Sequence, residues 1–342
     1  MNKKFKDSYN NIFEVNIKNN LLKFLNPTSK RTKYYDVPPD KSLTKNQYGR
    51  IYLQIHQLLH LLNSLGFNFK NKKFLDVGTG NGMIPRILSR ITKFNKTIGI
   101  DPFLDKGHKT SWQKHDHEQT EKYVLNFIKR NKGLFYNKYK KGLNYENHSL
   151  IPSNFSLKNI YNQKYKFHQL SAHNSHKLKE KFDVIYLKSI EHFNDWNKMF
   201  KIFSKITKKK SLIIFKHRSF FSYLGPHRYA TSGIPWGHVL LKDKDYKKYI
   251  NKFHKERSKD MENFFFNGLS YPRYTINDLL LFASKNNFTP KIIINEPPRY
   301  LNDAYKFTLK IQNFWRIVFK NYPRLSSDEL LSGIYHIVLE KN

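Results

Sequence analysis

Cysteine is absent from this sequence of 342 residues. Its absence excludes disulfide bonds, thiolate metal ligands and a cysteine nucleophile, and it is compatible with a reducing compartment. Long apolar segments are also absent: none reaches the roughly 18 residues that span a bilayer, and the polar start lacks the apolar stretch of a signal peptide. We therefore expect a cytoplasmic protein without a transmembrane segment, and a peripheral contact with a membrane surface stays open.

Acidic residues and arginine are scarce beside lysine. The chain has 26 Asp+Glu against 62 Lys+Arg, a formal net charge of +36, and only 12 of the basic residues are Arg. This charge favours a polyanionic partner such as nucleic acid, anionic lipid or an acidic glycan. Arginine suits phosphates and base edges better than lysine, so nucleic acid is an open but not a favoured partner. Lys, Asn, Ile, Phe and Tyr share A/T-rich codons, so base composition is an alternative source of the charge.

Short apolar runs alternate with helical patterns along most of the chain. A strand at Phe74–Val77 is followed by a glycine-rich turn, a helix over Ile84–Ile91 and a second strand at Thr97–Asp101. Further strands are predicted at Phe167–Leu170, Phe182–Leu187, Ser211–Lys216, Lys291–Asn295 and Ile334–Glu340. Strands that alternate with helices indicate an α/β fold with a mostly parallel sheet.

The regions around this pattern are assigned to an N-terminal segment and two insertions. Residues 1–70 are expected to form an irregular arm, up to about Lys45, and then a helix. Residues 71–342 are expected to form the main domain, with insertions at about 103–165 and 219–274. Helices are predicted at Gln47–Leu65, Trp112–Arg130, Trp196–Thr207, Thr275–Asn286 and Phe307–Lys320.

The most informative segment is Asp76–Gly82, which reads DVGTGNG. Alternating glycines let the backbone turn tightly from strand to helix and approach a ligand, and the following helix N-terminus offers N–H groups to an anion. Asp101, 23 residues beyond Gly78, is placed to accept both ribose hydroxyls of a nucleoside. The alternatives are an ordinary βα turn and a dinucleotide site, although the G-x-G-x-x-G fingerprint has its third glycine one residue later.

This turn resembles motif I of class I S-adenosylmethionine-dependent methyltransferases, commonly D/E-x-G-x-G-x-G. Phe182–Ile185 and Ile190–Phe193 resemble the "FD-V-I … EH" stretch of many small-molecule methyltransferases. The resemblance covers about residues 72–101, 166–218 and 275–341. It implies S-adenosyl-L-methionine as the cofactor and a Rossmann-like, seven-stranded, mostly parallel sheet with helices on both faces and an antiparallel last strand.

A narrower resemblance lies in the second insertion. Gly225–His227 and Ile234–Leu240 resemble a G-x-H … P-W-x-H-L segment, which follows the fifth strand in an uncharacterised subgroup of bacterial methyltransferases, some linked to surface-glycan synthesis. It implies methyl transfer to a small-molecule, glycan or lipid-linked acceptor. The alternatives are an RNA methyltransferase that uses the basic surface and a non-catalytic binding protein with the same fold. Trp236 is either a wall of the acceptor pocket or a core anchor.

The resemblance also implies which residues bind the cofactor. The motif I acid and its turn would hold the methionine end, and the acid after the second strand would bind the ribose. The stretch after the third strand lacks the acid that the family often places near adenine, so a serine or a backbone group is expected to substitute. The implied cofactor-binding residues are Asp76, Gly78, Thr79, Gly80, Gly82, Asp101, Ser171, Ala172 and Lys188.

Catalysis needs few side chains, because a sulfonium is already a good leaving group and positioning with desolvation contributes most. A base is required only for a hydroxyl or a protonated amine, and histidine suits that role at neutral pH. The candidate catalytic residues are His192, His227 and His238, with Glu191 as an alternative and His217 as a further strand-end histidine. No metal is predicted, since the histidine spacings fit no ligand pattern.

Overall fold

The computed structural model describes most of the chain outside four longer stretches. The described residues are 3–15, 45–80, 82–102, 121–122, 124–126, 165–188, 190–223, 225, 233–255, 258–296 and 301–342. Within them, no helix combines the length and the apolar character needed to cross a membrane.

Nine strands and ten α-helices form the described secondary structure. The strands are β1 (Lys3–Lys6), β2 (Ile12–Val15), β3 (Lys73–Val77), β4 (Lys96–Ile100), β5 (Tyr165–His168), β6 (Phe182–Leu187), β7 (Thr207–His217), β8 (Phe288–Glu296) and β9 (Ile334–Lys341). The helices are α1 (Lys45–Ser64), α2 (Met83–Ile91), α3 (Trp196–Ile206), α4 (Gly237–Leu240), α5 (Asp243–His254), α6 (Ser258–Asn263), α7 (Ile276–Lys285), α8 (Leu301–Lys310), α9 (Phe314–Asn321) and α10 (Ser327–Leu330). Short 3-10 helices span Ala172–Leu178 and Ile190–His192, and a π-helix spans Phe264–Gly268.

Seven strands form one sheet in the order β5-β4-β3-β6-β7-β9-β8. β3 pairs in parallel with β4 and β6, and β4 pairs in parallel with β5. The end of β8 lies beside the start of β9, where the Gly333 amide donates to the Glu296 carbonyl at 3.0 Å, so this pair is antiparallel. The predicted fold class, a mostly parallel seven-stranded sheet with helices around it, is confirmed.

The chain divides into two compact units. The first comprises residues 1–36, 189–200 and 215–337, and the second comprises residues 37–188, 201–214 and 338–342.

In the second unit the central strands are buried throughout. Every residue of β6 is buried, and so are Phe74, Leu75 and Val77 of β3. Continuous apolar runs of this kind are typical of parallel strands covered on both faces. Because β3 to β6 are parallel, their carboxyl ends meet at one edge of the sheet, which is where ligands bind in open α/β folds.

In the first unit β1 and β2 pair as an antiparallel hairpin, which corrects the expectation of an irregular arm for residues 3–15. Phe5 lies opposite Phe13 and both are buried, while the amide and hydroxyl of Ser8 donate to the Asp245 carboxylate at 3.1 and 2.6 Å. Strands of four residues carry too little alternation for sequence patterns to detect. The rest of the arm, residues 16–44, lies outside the described residues.

The first unit also has an aromatic core. Trp236 is fully buried, and its indole N–H donates to the Phe221 carbonyl at 3.1 Å. Its ring lies edge-on to Tyr223 and Phe314, with centroids 4.8 and 5.1 Å away. Of the two interpretations of this tryptophan, the structure supports the core anchor.

Several predicted elements have different bounds in the structure, and β7 and β8 begin four and three residues earlier than expected. The helix expected over Phe307–Lys320 is two helices, α8 and α9, because Asn313 adopts a left-handed conformation (φ 59°) that interrupts helical geometry. The third sheet strand is Tyr165–His168, two residues earlier than expected. The helix predicted at Trp112–Arg130 lies largely outside the described residues.

Glycine 82 allows a side chain from β5 to pack on the start of α2. Its φ is +69°, and a Cβ there would lie 2.2 Å from the Phe167 ring, which also packs against Gly99. Gly80 has a similar φ of +58°, but no atom of the described part of the chain lies within 4 Å of its Cβ position. The two glycines therefore share a backbone requirement but differ in packing.

We expect Gly82→Ala to lower the free energy of unfolding more than Gly80→Ala. Both variants force alanine into the left-handed region, at roughly 1–2 kcal/mol, and Gly82→Ala adds overpacking of typically about 1–3 kcal/mol. Urea denaturation of the two variants measures the difference. Adding Phe167→Leu should restore part of the free energy of unfolding lost in Gly82→Ala but not of that lost in Gly80→Ala. Equal losses of this free energy in the two single variants would contradict the packing argument.

Candidate active site

The turn after β3 has a left-handed backbone at all three glycines. The φ values of Gly78, Gly80 and Gly82 are 70°, 58° and 69°. The amides of Gly78 and Thr79 both donate to the Ile100 carbonyl at the end of β4, at 2.9 and 3.0 Å, and the Gly82 amide donates to the Thr79 carbonyl at 3.1 Å. The turn is therefore tied to the neighbouring strand and held in one conformation.

Two carboxylates lie on either side of this turn. Asp76, on β3, is fully buried, and its Oδ2 accepts the Thr79 hydroxyl at 2.6 Å. Asp101, directly after β4, is half-buried, and its Oδ2 accepts the Gly80 amide at 3.0 Å. Among the described residues, Asp76 Oδ1 has no hydrogen-bond partner.

The surroundings of Asp76 disfavour its charge. Burial raises the pKa of this carboxyl to about 6, the Lys188 ammonium and the Thr79 hydroxyl act in the opposite direction, and the Asp101 carboxylate raises it slightly further. Buried polar atoms are normally partnered, and an orphaned carboxylate oxygen is costly. The site therefore suits a ligand that brings a cationic donor to this oxygen.

The remaining residues predicted for the cofactor follow the next two strands. Ser171 precedes the 3-10 helix after β5, its side chain caps nothing there, and its carbonyl accepts the Asn174 amide at 3.0 Å. Ala172 is buried, and Lys188 is half-buried directly after β6. The Thr79 hydroxyl contacts Asp76 directly, and the charge of Lys188 acts on Asp76. Ser171 and Ala172 follow β5, and their link to Asp76 is that β5 ends at the same edge of the sheet as β3.

Two predicted catalytic residues lie on the 3-10 turn Ile190–His192 of the first unit. The Glu191 carbonyl accepts the Ser270 amide at 2.7 Å, and its Oε2 lies 3.7 Å from Nδ1 of His217. Nδ1 of His192 is hydrogen-bonded to the Gly268 carbonyl. The contact with the Gly268 carbonyl therefore uses one ring nitrogen of His192. The Glu191 carboxylate faces the imidazole of His217.

Histidine 238 lies in the interior of the first unit. Burial lowers its pKa to about 4, and its ring lies edge-on to Phe220 at 5.3 Å. Nε2 has no partner among the described residues, and a Cβ at Gly225 would lie 3.2 Å from it. The imidazole is therefore neutral at pH 7. His227 lies outside the described residues.

Sequence reasoning missed Glu329, a fully buried acid of the first unit. Its carboxylate accepts the Ser219 hydroxyl at 2.5 Å and the Ile276 amide at 3.0 Å. No local motif marks it, because its partners are 110 and 53 positions away. Within the described residues, no group of three or more His, Asp or Glu side chains could hold a metal ion.

A family described as "Methyltransferase domain" matches residues 50–244. The match covers more than half of the chain, so the chain belongs to the class I S-adenosylmethionine-dependent methyltransferases. No curated protein matches the chain.

Solved structures of low sequence identity are similar to the chain. Magnesium protoporphyrin IX methyltransferase (ChlM) from Synechocystis PCC 6803 with bound SAH is 11% identical over 89% of this chain and 90% of that one, with a TM-score of 0.42. YcgJ from Bacillus subtilis is 13% identical over 84% and 99%, with a TM-score of 0.39. Mycolic acid cyclopropane synthase CmaA1, complexed with SAH and CTAB, is 15% identical over 93% and 92%, with a TM-score of 0.39. At this level of similarity these structures identify no acceptor for the chain.

The cofactor of the family, S-adenosyl-L-methionine, fits the described residues. Oδ1 of Asp76 has no donor within the described part of the chain, and the cofactor's methionine end carries an ammonium group that can supply one. No atom of the described residues lies within 4 Å of the Cβ position of Gly80. The described residues of the turn are therefore compatible with the cofactor of the family.

We expect the charge of Asp76 to make the protein less stable at neutral pH than at mildly acidic pH. The folded pKa is about 6 and the ordinary value is 3.8. Between these values the folded state holds a proton that the unfolded state has lost, so the free energy of unfolding falls as the pH rises from about 4 to about 6.

Asp76→Asn removes this pH dependence. Between pH 4 and pH 7 the free energy of unfolding of the variant should rise relative to that of the wild type by about 3 kcal/mol or less, since one pKa unit is about 1.4 kcal/mol. Urea denaturation across this range measures the difference between the two proteins. A difference in the free energy of unfolding that stays the same from pH 4 to pH 7 would contradict the raised pKa of Asp76.

Proposed function

We propose that the chain transfers the methyl group of S-adenosyl-L-methionine to a small-molecule, glycan or lipid-linked acceptor. Family membership establishes the reaction class. The observation that carries the cofactor site is Oδ1 of the fully buried Asp76, which has no hydrogen-bond partner among the described residues. The Asp101 carboxylate, which accepts the Gly80 amide, follows the neighbouring strand. The acceptor class is supported by the resemblance of residues 225–227 and 234–240 to the bacterial subgroup described above.

The glycine turn supplies space rather than hydrogen-bond donors. The amides of Gly78, Thr79, Gly80 and Gly82 all donate to oxygens of the chain itself. The N–H groups expected to face an anion belong to the start of α2, beyond this turn, and that expectation stays a prediction. Within the turn itself, polar recognition is left to the neighbouring side chains. Left-handed glycines without Cβ atoms let a ligand approach the backbone closely.

The methionine end of the cofactor carries both an ammonium and a carboxylate, and the site offers a complementary pair. Asp76 accepts from the ammonium, and Lys188, whose charge already acts on Asp76, attracts the carboxylate. Asp101 accepts the ribose hydroxyls. Ser171 and the backbone at Ala172 line the adenine end, where the family's usual acid is missing.

When bound, S-adenosyl-L-methionine supplies an electrophilic methyl group on a cationic sulfur, which leaves as a neutral thioether. The chain contributes by binding the methyl donor at its methionine and adenosine ends, which fixes its position, and by excluding water from the reacting groups. Binding an ammonium beside Asp76 also favours the charged carboxylate, so cofactor binding releases a proton near pH 6.

The net charge of +36 is the observation that favours RNA as an alternative acceptor. Several described lysines are held by acids, since Lys73 and Lys96 both pair with Glu180, and Lys72 and Lys208 both pair with Asp183. These acids are already counted in the net charge, so the pairs lower the positive charge locally and leave the total of +36 unchanged.

Asp101→Ala should weaken cofactor binding by about 1.5–3 kcal/mol, because hydrogen bonds to a charged group are lost. Isothermal titration of the variant with S-adenosyl-L-methionine measures the change. Asp260→Ala, at an exposed acid on α6, is the matched control and should bind like the wild type. Unchanged affinity in Asp101→Ala would contradict the ribose role.

Tritiated methyl transfer from the cofactor into a fractionated lysate tests the acceptor class. Label is expected in the small-molecule, glycan or lipid fractions. Label in RNA, together with salt-sensitive tRNA binding in a gel shift, would contradict the proposal in favour of the RNA alternative. Tight cofactor binding without transfer to any fraction would favour a binding protein.

A further inference from the structure

Helices α8 and α9 of the first unit repeat one short pattern of side chains. Each occurrence has a buried residue, then a large apolar residue that is half-buried or exposed, then a basic residue. The four occurrences are Ala304–Lys306, Thr308–Lys310, Phe314–Arg316 and Val318–Lys320. Within each helix the pattern recurs after four residues, so its members form a buried row, an apolar row and a basic row along the helix.

The apolar row of α8 is exposed along its whole length. Leu301, Tyr305 and Leu309 are 39%, 54% and 70% exposed, and Leu309 is the most exposed of the large apolar side chains that the structure describes. Exposed apolar residues that stand alone are normal on a protein surface. These three follow each other at four-residue spacing and form one stripe, and contiguous apolar surface of this kind marks a site of interaction with a protein or a membrane.

The apolar row of α9 is aromatic. The rings of Trp315 and Phe319 stack with centroids 5.7 Å apart and an interplanar angle of 21°, and Phe319 is exposed. The buried rows of the two helices pack into the same aromatic core, through Ala304 of α8 and through Phe314 and Val318 of α9. The two helices also contact each other. Aromatic side chains are enriched where a protein meets the interface of a bilayer.

The basic rows give these two helices an excess of positive charge. Residues 301–320 contain four basic residues against one acid, a net charge of +3, and all four basic side chains are exposed. Since successive residues are about 100° apart around a helix, the apolar row lies between the buried row and the basic row. A helix with this arrangement lies in the plane of a membrane surface, with its apolar side chains below the headgroups and its cations among the lipid phosphates.

The charge favours a lipid surface over a second copy of the chain. A second copy would place further basic residues near the basic rows, because the whole chain carries a net charge of +36. An anionic bilayer offers apolar volume to the apolar rows and negative charge to the basic rows at the same time. The ten residues of α8 rise about 15 Å, half of the roughly 30 Å hydrocarbon core, so this helix can lie on a bilayer but cannot cross it.

We propose that the apolar and basic rows of α8 and α9 together bind the surface of an anionic lipid bilayer. The apolar rows enter the boundary between headgroups and acyl chains, and the basic rows contact the lipid phosphates. This inference goes beyond the proposed function and does not depend on it, because it concerns a surface of the first unit and needs neither cofactor nor acceptor.

The test measures binding of the full chain to lipid vesicles by flotation. The wild type should bind vesicles of phosphatidylcholine with roughly 30% phosphatidylserine more tightly than vesicles of phosphatidylcholine alone. Leu309→Gln should lower the affinity for the anionic vesicles about tenfold, because the burial of a leucine side chain in the acyl region is lost. Lys306→Gln should lower it about fivefold, because one cation near the lipid phosphates is lost.

Matched controls separate this surface from adsorption by total charge. Leu301→Gln and Leu281→Gln replace leucines of equal exposure, 39%, on α8 and α7, and both keep the net charge. Only Leu301→Gln should weaken binding. Lys248→Gln, at an exposed lysine of α5, removes the same charge as Lys306→Gln and should have a smaller effect. Equal effects within either pair, or no binding of the wild type to anionic vesicles, would overturn the inference.

A fluorescent reporter tests whether the apolar row enters the bilayer. Fluorescence of the Tyr305→Trp variant should be quenched by lipids brominated on their acyl chains more strongly than that of the wild type, and equal quenching would overturn the inference. Sedimentation equilibrium without lipid tests the second copy, since a wild-type dimer that Leu309→Gln dissociates would also overturn it. Calorimetric binding of S-adenosyl-L-methionine should be unchanged in Leu309→Gln, and failure of the wild type to bind this cofactor would contradict the proposed function alone.

Discussion

The left-handed turn after β3 is the constraint on which the candidate cofactor site depends. Two successive amides of the turn donate to the same carbonyl at the end of β4, and the Gly80 amide donates to Asp101. These bonds hold the ends of two parallel strands together, so the acid at each end faces a shared turn. Only glycine adopts such φ values at three alternate positions without strain, which explains why these positions carry glycine.

Four acids of the described residues differ in how their oxygens are satisfied. Asp245 and Glu329 each accept two hydrogen bonds from the chain and fix segments that are distant in sequence. Asp76 and Glu191 each keep one oxygen without a partner among the described residues. Unsatisfied buried oxygens are retained at a cost in stability, and both lie where family resemblance implies a role with cofactor or acceptor. The satisfied acids stabilise the fold, and the unsatisfied acids suit ligands.

Sequence patterns predicted the local features of the fold and missed those that depend on long-range contacts. The strands around Asp76–Gly82 and the helix that begins after Thr275 carry local signals, and Thr275 forms a capping box with Asp278. The closeness of Glu191 and His217, 26 positions apart, depends on which strands become neighbours, and no spacing rule reveals it. Likewise, no sequence signal shows that the turn's own amides are used internally, because hydrogen-bond partners follow from backbone geometry.

The hairpin of β1 and β2 affects how the chain reaches its native state. Ser8 contacts Asp245 across 237 positions, and Phe5 lies edge-on to Tyr249 at 5.5 Å. During synthesis on the ribosome the hairpin is complete long before its docking surface emerges, and a two-stranded hairpin alone is marginally stable in water. Contacts of such high sequence separation slow folding. The nascent hairpin therefore exposes Phe5 and Phe13 until α5 is made, and exposed apolar side chains of this kind favour aggregation.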